Sequence, residues 1–334
     1  MKSDSELFDR PALMLAPLAG YTDPPFRKLC FDFGVDFAET EMVSSEGLAR
    51  GCERTARLTE IFDGEDRVGI QIFGSNPSSM ARAASAAAAG RPAFIDINCG
   101  CPVKKVVRKN GGAGLMRDLD LMGRIAASVT AAVDLPVTAK IRSGWDAENA
   151  NFMEAGRILQ DCGIAAVTIH PRYRSQMFRG DANWEHIAEL NRELEIPVIA
   201  NGDIRGPGDM KRVMDITGCR VVMVGRAALG QPWLFARLKR KMREITGEGK
   251  EISGAEAEIP DSLSEKLKIF EKFVRMEVDY KGERLAVMEL KKHYRWYVRG
   301  VRGMKKYRGM LAQSGTLEEV LSILHRVREE LNGR

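Results

Sequence analysis

Short apolar runs alternate with helical patterns along about the first two thirds of this 334-residue chain. Eight such runs occur, at residues 12–16, 37–41, 68–72, 94–97, 137–141, 166–169, 198–200 and 221–224. Strands that alternate with helices pair in parallel, because each crossover helix returns the chain to the same end of the sheet. Eight such units within about 230 residues predict an α/β fold of the (β/α)8 TIM barrel type. A doubly wound open sheet is the alternative architecture.

The pattern changes after residue 240. Residues 246–260 contain several glycines and a proline, which indicates a linker. Two capping boxes, Ser262 with Glu265 and Thr316 with Glu319, precede apolar patterns of helical spacing. We predict a small bundle of four helices, at about residues 262–280, 283–298, 301–312 and 316–331. The chain then divides into a barrel domain (1–245), a linker (246–260) and an all-α helical domain (261–334).

The composition is that of a soluble globular protein, with 44% hydrophobic and 29% charged residues. No apolar run reaches the ~18 residues of a membrane span, and the mixed charge at the N-terminus does not fit a signal peptide. The six cysteines show neither zinc-site spacing nor the pattern of a disulfide framework. We therefore expect a cytoplasmic protein with no membrane partner and no metal, and we take a monomer as the default state.

The fourth run ends in a segment, residues 96–102, that combines polar residues with an abrupt turn. Its sequence is Asp-Ile-Asn-Cys-Gly-Cys-Pro, in which glycine and proline fix the turn after the strand. The carboxyl ends of the strands carry the active site in barrel enzymes. Cys101 is therefore a candidate catalytic thiol, and Asn98 lies just before it.

Three further runs carry a polar residue where an apolar one is expected. Gln71 lies in the third run, Lys140 in the fifth and His170 at the end of the sixth. Buried polar groups need partners, and an amide or an ammonium suits the edge of a planar ligand such as a flavin, whose reduced form is anionic. The alternatives are a core amide satisfied by the protein for Gln71 and a structural hydrogen-bonding role for His170.

Glycine-containing turns follow the first, seventh and eighth runs. The first, residues 17–20, has a backbone able to lie flat against a planar ring, although an ordinary turn fits equally. The other two precede helices, and barrels bind phosphate at these loops because free amides at a helix start attract an anion. The candidate ligand contacts in the three turns are Pro17, Leu18, Ala19, Asn201, Gly202, Asp203, Gly225 and Arg226.

Residues 291–308 are strongly basic, since eight of these eighteen residues are Lys or Arg and none is acidic. Residues 261–334 carry a net charge of +6, against +5 for the whole chain. Four aromatic residues interleave with the basic ones: Tyr294, Trp296, Tyr297 and Tyr307. Basic groups neutralise phosphates and aromatic rings stack on unpaired bases, so the segment predicts an RNA contact. The alternative is a solvated helix face whose aromatic residues turn into the bundle.

Taken in order, these segments resemble the tRNA-dihydrouridine synthases, and most closely the bacterial B-type enzymes. The matching stretches are residues 16–23, 71–74, 96–102, 104–106, 140–145, 168–170, 199–204 and 225–228. The likeness runs from about residue 11 to 240 and continues more weakly through 292–297. Each stretch is short, and it is their order at the predicted strand ends that carries the resemblance.

The resemblance implies a tightly bound FMN cofactor, NADPH as the source of hydride, and a uridine of tRNA whose 5,6 double bond is reduced. Cys101 matches the catalytic cysteine, which would supply the proton, and Asn98 matches an asparagine near the base. The residues that would hold FMN are Pro17, Leu18, Ala19, Gln71, Lys140, His170, Asn201, Gly202, Asp203, Gly225 and Arg226. The candidate substrate contacts are Asn98, Arg172, Arg174, Lys291, Lys292, Arg295 and Arg299.

Three other functions fit parts of the sequence. A flavin-dependent barrel that reduces a free pyrimidine or another small molecule shares the cofactor residues, but it has no use for the basic helical domain. An RNA-binding protein on an inactive barrel does not explain Cys101, Lys140 and His170 together. A phosphate-binding isomerase leaves residues 98–102 without a role. Neither the uridine position nor the choice between NADPH and NADH follows from the sequence.

Overall fold

The β-strands of the computed structural model close into a parallel barrel. The structure describes residues 7–247, 257–298, 301 and 303–331. The strands are β1 (Ala12–Leu15), β2 (Phe37–Glu39), β3 (Val43–Ser44), β4 (Val68–Phe73), β5 (Phe94–Asn98), β6 (Val137–Gly144), β7 (Ala166–Tyr173), β8 (Val198–Asn201) and β9 (Val221–Val224). β1 pairs with β2 and β9, and β2 pairs with β4, which closes a ring of eight strands; β3 continues beside β4. The predicted TIM barrel is confirmed, and the open-sheet alternative is wrong.

The strands begin where the apolar runs predict, but several of them end later. β6 and β7 extend to Gly144 and Tyr173, past the ends predicted at residues 141 and 169. Polar residues occupy these extensions and still pair, with Arg142 opposite His170. The apolar runs therefore mark the buried middle of each strand, whereas the polar ends lie at the open end of the barrel.

Helices surround the barrel. They are α1 (Pro24–Asp32), α2 (Ser45–Ala49), α3 (Glu53–Ala56), α4 (Pro77–Ala88), α5 (Lys104–Val107), α6 (Leu119–Thr130), α7 (Phe152–Asp161), α8 (Trp184–Glu193), α9 (Pro207–Thr217) and α10 (Leu234–Thr246). Asp23, Asn76, Asp118 and Asn183 begin four of them, because each side chain accepts a hydrogen bond from a backbone N–H of the first turn. These caps lie in the turns after strands and fix where each crossover starts.

Side chains alternate along the strands between two apolar cores. In β1, Leu13 and Leu15 point outward to the helices, while Ala12 and Met14 point into the barrel. Phe8 packs against Phe37 and Phe94, the first residues of β2 and β5, at centroid distances of 5.2 and 5.5 Å. These rings fill the end of the barrel where the strands begin. Within the described residues, the interior is filled at that end and opens toward the carboxyl ends of the strands.

The described part of the chain after residue 257 is helical. Its helices are α11 (Leu263–Lys281), α12 (Glu283–Tyr297), α13 (Lys305–Gln313) and α14 (Leu317–Leu331), which confirms the predicted helical region. The capping box of Ser262 and Glu265 is present at the start of α11. The division into domains stays a prediction, and residues 248–256 of the predicted linker lie outside the described residues. Within the described ranges, no helix is both long enough and apolar enough to cross a bilayer.

A partly buried ionic cluster joins α11 to the barrel. Lys281 Nζ lies 2.5 Å from Asp23 Oδ2, 2.7 Å from Glu277 Oε2 and 2.9 Å from Glu289 Oε2. Asp23 also caps α1, so the cluster connects the start of a barrel helix to the end of a C-terminal helix. Burial, together with the nearby Asp23 charge, raises the pKa of Glu277 to about 9, so this carboxyl stays protonated at neutral pH. Lys281 is therefore the cation that neutralises the remaining carboxylates.

Replacement of Lys281 tests how strongly this cluster stabilises the fold. We expect Lys281→Met to lower the free energy of unfolding by about 3–5 kcal/mol, because it leaves the buried Asp23 carboxylate without its cation. Lys211→Met is the matched control, since it breaks an exposed Lys–Asp pair on α9 and is expected to cost less than about 1 kcal/mol. Denaturant titration of the two variants measures both values. Equal losses would contradict a stabilising role for the cluster.

Candidate active site

A cavity of about 650 Å³ lies at the carboxyl ends of the barrel strands. Most of the candidates from the sequence line it, and these are Pro17, Leu18, Ala19, Gln71, Asn98, Cys101, Lys140, His170, Asn201, Gly202, Asp203, Gly225, Arg226 and Arg295. Residues from the turns after β1, β5, β8 and β9 therefore meet in one place, as barrel topology requires. Arg172, Arg174, Lys291 and Lys292 do not line the cavity, and Arg299 lies outside the described residues.

The loop that carries Cys101 is held by side chains of the barrel. Asn98 Oδ1 accepts hydrogen bonds from the backbone N–H groups of Gly100 (3.1 Å) and Cys101 (2.9 Å). Arg142 Nε donates to the Gly100 carbonyl oxygen at 2.8 Å, and the Ala113 N–H donates to the Cys101 carbonyl oxygen at 3.0 Å. The backbone on both sides of the thiol is thus fixed, and Cys101 faces the cavity in a defined position.

The two neighbouring cysteines differ in their environment. Cys99 is completely buried in the outer apolar core, whereas Cys101 is partly exposed and lines the cavity. Burial raises the pKa of Cys101 above its usual value, although the Val103 backbone N–H and the Arg142 charge oppose the shift. A raised pKa favours the protonated thiol at neutral pH. Cys101 is therefore a thiol rather than a thiolate at neutral pH.

Gln71 connects Asn98 to buried carboxyl groups. Its Oε1 accepts from Asn98 Nδ2 at 2.7 Å, and its Nε2 donates to Glu39 Oε2 and Asp96 Oδ2, each at 2.8 Å. Thr138 Oγ1 donates to Asp96 Oδ1 at 2.6 Å. The N–H groups of Gln71 are thus satisfied within the protein, as in the core-amide alternative, while the residue also lines the cavity. Its contacts orient Asn98 and through it the Cys101 loop.

The two carboxyl groups of this network, Glu39 and Asp96, are not among the site residues predicted from the sequence. Glu39 and Asp96 point into the barrel, at the same side-chain parity as Phe37 and Phe94. The sequence does carry a signal for them, because each is an acidic residue within an apolar run, at a position that points into the barrel. Burial raises the pKa of Asp96 to about 6, and burial with the Asp96 charge raises the pKa of Glu39 well above its usual value.

Lys140 interacts electrostatically with these carboxyl groups. Its Nζ donates to Asn201 Oδ1 at 2.8 Å, and Asn201 Nδ2 donates to the Met223 carbonyl oxygen at 2.8 Å. Burial lowers the pKa of Lys140 to about 8, although Glu39 and Asp96 act in the opposite direction. Lys140 is thus a cation held in the cavity wall with one uncharged hydrogen-bond partner. An anionic ligand beside it would gain more from this charge than from an exposed lysine.

The His170 ring has a defined protonation state. Burial, followed by the Lys140, Arg142, Arg172 and Arg226 charges, lowers the pKa of His170 well below its usual value, so the ring is neutral. Arg172 Nη1 lies 3.0 Å from His170 Nε2. Because a guanidinium group only donates, Nε2 accepts and the ring proton is on Nδ1. His170 therefore offers one N–H donor.

Arg172 and Arg174 are held by protein contacts outside the cavity lining, and their role toward the substrate stays a prediction. Arg172 is only 2% exposed, and its guanidinium donates to Asp203 Oδ2 and to the Gly180 carbonyl oxygen, both at 2.6 Å. It supports His170 and Asp203 from behind the cavity wall. Arg174 stacks on the Trp145 ring, with its Cζ 4.7 Å from the centroid. The position of these residues after the sixth run predicts neither the burial of Arg172 nor the stacking of Arg174 on Trp145.

α12 forms one wall of the cavity mouth. Arg295 and Trp296 line the cavity, and Arg295 Nη2 lies 3.4 Å from the Tyr21 hydroxyl. Lys292 lies over the Tyr21 ring, with Nζ 5.6 Å from the centroid, and Lys291 is exposed. The other three aromatic residues of the basic segment, Tyr294, Tyr297 and Tyr307, are buried in the helical core. The alternative in which these rings pack inward is correct for them.

Comparison with known proteins fits this geometry. The family model for dihydrouridine synthases matches residues 14–332. The chain belongs to this family, as a member of the bacterial B type. It is 38% identical to the tRNA-dihydrouridine synthase B of Proteus vulgaris over 288 residues, which is 86% of each chain. It is 36% identical to the protein of the same description from Shewanella oneidensis over 320 residues, which is 96% of each chain.

The environments of the cysteines predict an order of alkylation. We expect iodoacetamide to modify exposed Cys52 at lower pH than Cys101, because hydrogen bonds from Thr55 lower the pKa of Cys52 while burial raises the pKa of Cys101. Only the thiolate reacts. Peptide-resolved mass spectrometry across a pH series measures both rates, and buried Cys99 is the unreactive control. Modification of Cys101 at or below the pH required for Cys52 would contradict the raised pKa.

Proposed function

We propose that this protein reduces the 5,6 double bond of a uridine in tRNA, with FMN as cofactor, NADPH as reductant and Cys101 as proton donor. The observation that carries the proposal is the position of Cys101, fixed by Asn98 and facing a cavity lined by Lys140, His170 and Arg226. Membership of the dihydrouridine synthase family and the names of the relatives support the same reaction.

The residues of the cavity fit FMN. Its volume of about 650 Å³ lies within the range of cofactor pockets. Gly225 lines it with bare backbone. An added Cβ there would lie at ordinary contact distances of 3.5 and 3.7 Å from the Ala16 and Leu18 side chains, so packing against the protein does not by itself require glycine. Gly202, Gly225 and Arg226 would hold the phosphate, and Lys140 the anionic edge of the ring. When bound, FMN supplies the hydride for carbon 6 of uracil.

Cys101 would supply the other hydrogen. Its Sγ is protonated at neutral pH because burial raises its pKa, and it would deliver that proton to carbon 5 of the uracil ring. Asn98 and Arg142 keep the thiol in place by their bonds to the loop backbone. A proton donor needs no neighbouring base to activate it, unlike a nucleophilic cysteine. Among the described residues, the charged group that acts on Cys101 is Arg142, which is a cation and not such a base.

The RNA would reach the cavity beside α12. A uridine inside a helix is inaccessible to the thiol, so the base must turn out of its stack at a cost of a few kcal/mol. Exposed Lys291, partly exposed Lys292 and cavity-lining Arg295 lie on the same helix as Trp296. This arrangement would place phosphate-binding groups next to the opening through which the base enters.

Substitution of Cys101 tests the proton-donor role. We expect Cys101→Ala to retain FMN and tRNA binding and to lose at least about 10²-fold in turnover, the usual contribution of general acid catalysis. Cys99→Ala is the matched control, since it removes the buried thiol two residues away and leaves the cavity unchanged. Turnover is measured as dihydrouridine formed in unmodified tRNA. Near-normal turnover of Cys101→Ala would reject the assignment.

The choice of acceptor separates the two candidate reductases. Free uridine offered in place of tRNA should give no measurable oxidation of the reduced holoenzyme, because it lacks the phosphates that α12 would bind. Equal rates with both acceptors would favour the reductase of a free pyrimidine.

The salt dependence of binding tests the role of α12. We expect the logarithm of tRNA affinity to fall linearly with the logarithm of salt concentration, and Lys291→Ala to reduce that slope by about 1. Lys211→Ala, on α9 and away from the cavity, is the control and should leave the slope unchanged. Filter binding at several salt concentrations measures the slopes. A flat salt response would remove the proposed RNA-binding role of this helix.

A further inference from the structure

Phe178 places an apolar ring in water at the cavity mouth. It is 50% exposed, lies in the loop between β7 and α8, and lines the cavity. Val103, at 47% exposure and two residues after Cys101, is the other exposed large apolar side chain of the described residues that lines it. Single exposed apolar residues are common on protein surfaces. Phe178 differs from these because of the way in which its loop is held.

Two buried arginines fix the backbone around Phe178. Arg142 Nη1 donates to the Met177 carbonyl oxygen at 2.8 Å and to the Tyr173 carbonyl oxygen at 3.1 Å. Arg172 donates from Nε to the Arg179 carbonyl oxygen at 3.3 Å and from Nη2 to that of Gly180 at 2.6 Å. Both arginines are 2% exposed. The carbonyl groups before and after Phe178 are thus anchored to the barrel.

The loop also contains a strained residue. Met177 has a φ of +55°, in the left-handed region, which costs a residue with a side chain about 1–2 kcal/mol. The same Arg142 binds the carbonyl of Gly100 in the catalytic loop, so the position of Phe178 is linked to that of Cys101. Strain that is offset by buried hydrogen bonds indicates a conformation maintained for use.

The surroundings of the ring are positively charged. The guanidinium carbons of Arg226 and Arg142 lie 5.0 and 5.6 Å from its centroid. Arg205, whose side chain is exposed, also lines the cavity. An open aromatic surface among arginines is the arrangement by which proteins bind single-stranded nucleic acid, with the bases on the ring and the phosphates on the cations.

We propose that Phe178 is the stacking surface for the nucleobase next to the reduced uridine, an inference that rests on the proposed function. When the uridine turns out of the RNA stack, its neighbour loses a stacking partner. Phe178 replaces that partner at the cavity mouth, and exposed Arg205 neutralises a phosphate beside it. Phe178 thereby lowers the free-energy cost of extruding the uridine and selects RNA over free uridine.

The two half-reactions separate this role from binding of the reductant. FMN holoenzyme is first reduced with NADPH, and the rate of flavin bleaching is recorded. Reduced holoenzyme is then mixed without oxygen with unmodified tRNA, and the rate of flavin reoxidation is recorded against tRNA concentration. Phe178→Ala and Phe178→Leu are compared with Phe178→Trp, since alanine and leucine remove the aromatic surface and tryptophan keeps it.

We expect Phe178→Ala and Phe178→Leu to raise the half-saturating tRNA concentration by about 5- to 150-fold, which is the loss in affinity that corresponds to one stacked base. The rate of flavin bleaching by NADPH should be unchanged. Phe178→Trp should stay near the wild type. Wild-type saturation in the alanine variant, or recovery by leucine, would overturn the stacking role, and so would slower bleaching in place of weaker tRNA use. If tRNA does not reoxidise even the wild type, the proposed function fails as well.

A change in the RNA gives an independent check. Once the reduced uridine is mapped in wild-type product, a transcript with an abasic neighbour on either side of that uridine is prepared. The difference between wild type and Phe178→Ala should disappear for one of these two transcripts, because the ring then has no base to stack on. A difference that persists for both transcripts would show that Phe178 does not contact the neighbouring base.

Discussion

The side-chain amide of Asn98 joins the interior of the barrel to the loop that carries Cys101. Its Oδ1 accepts two backbone N–H groups of that loop, and its Nδ2 donates to Gln71. Any other orientation of this buried amide leaves a donor or acceptor unpaired, at a cost of ~1–3 kcal/mol. Because Glu39 and Asp96 in turn orient Gln71, residues of β2, β4 and β5 together fix the direction of the thiol. The loop does not fix it alone.

The same network sets the protonation states in the cavity. Burial raises the pKa of Asp96 to about 6 and lowers the pKa of Lys140 to about 8, so both lie nearer neutrality than in water. Burial also favours a neutral His170 ring and a protonated Cys101. At neutral pH the cavity thus presents N–H and S–H donors. Such a wall suits an electron-rich ring and a proton transfer better than attack by a thiolate.

The features that the sequence predicts are those with local signals. Apolar runs and capping residues are local, and the barrel, its open end and the helical region follow from them. The inward packing of Tyr294 and Tyr297 also has a local signal, since they continue the helical spacing of Val287 and Leu290. The burial of Arg172 has none, because it depends on carbonyl and carboxylate partners that only the closed barrel brings together. The exposure of Phe178 has no local signal either, because it depends on hydrogen bonds from Arg142 in β6 and Arg172 in β7.

α12 packs in the helical core and also lines the cavity, so it fixes the position of the helical core relative to the cavity. Its Trp296 lies against Gly230, where an added Cβ would be 2.3 Å from the Trp296 carbonyl carbon, and Gly230 has a φ of +73°. Only glycine allows this close approach. Gly230 lies four residues after Arg226. The backbone contact between Gly230 and Trp296 therefore sets the distance between α12 and the turn at Gly225 and Arg226, which would hold the phosphate. Any change in the width of the mouth requires α12 to move against this contact and against the cluster of Lys281. The opening therefore has a fixed shape, and under the proposed function the RNA, rather than the protein, would rearrange for a base to enter.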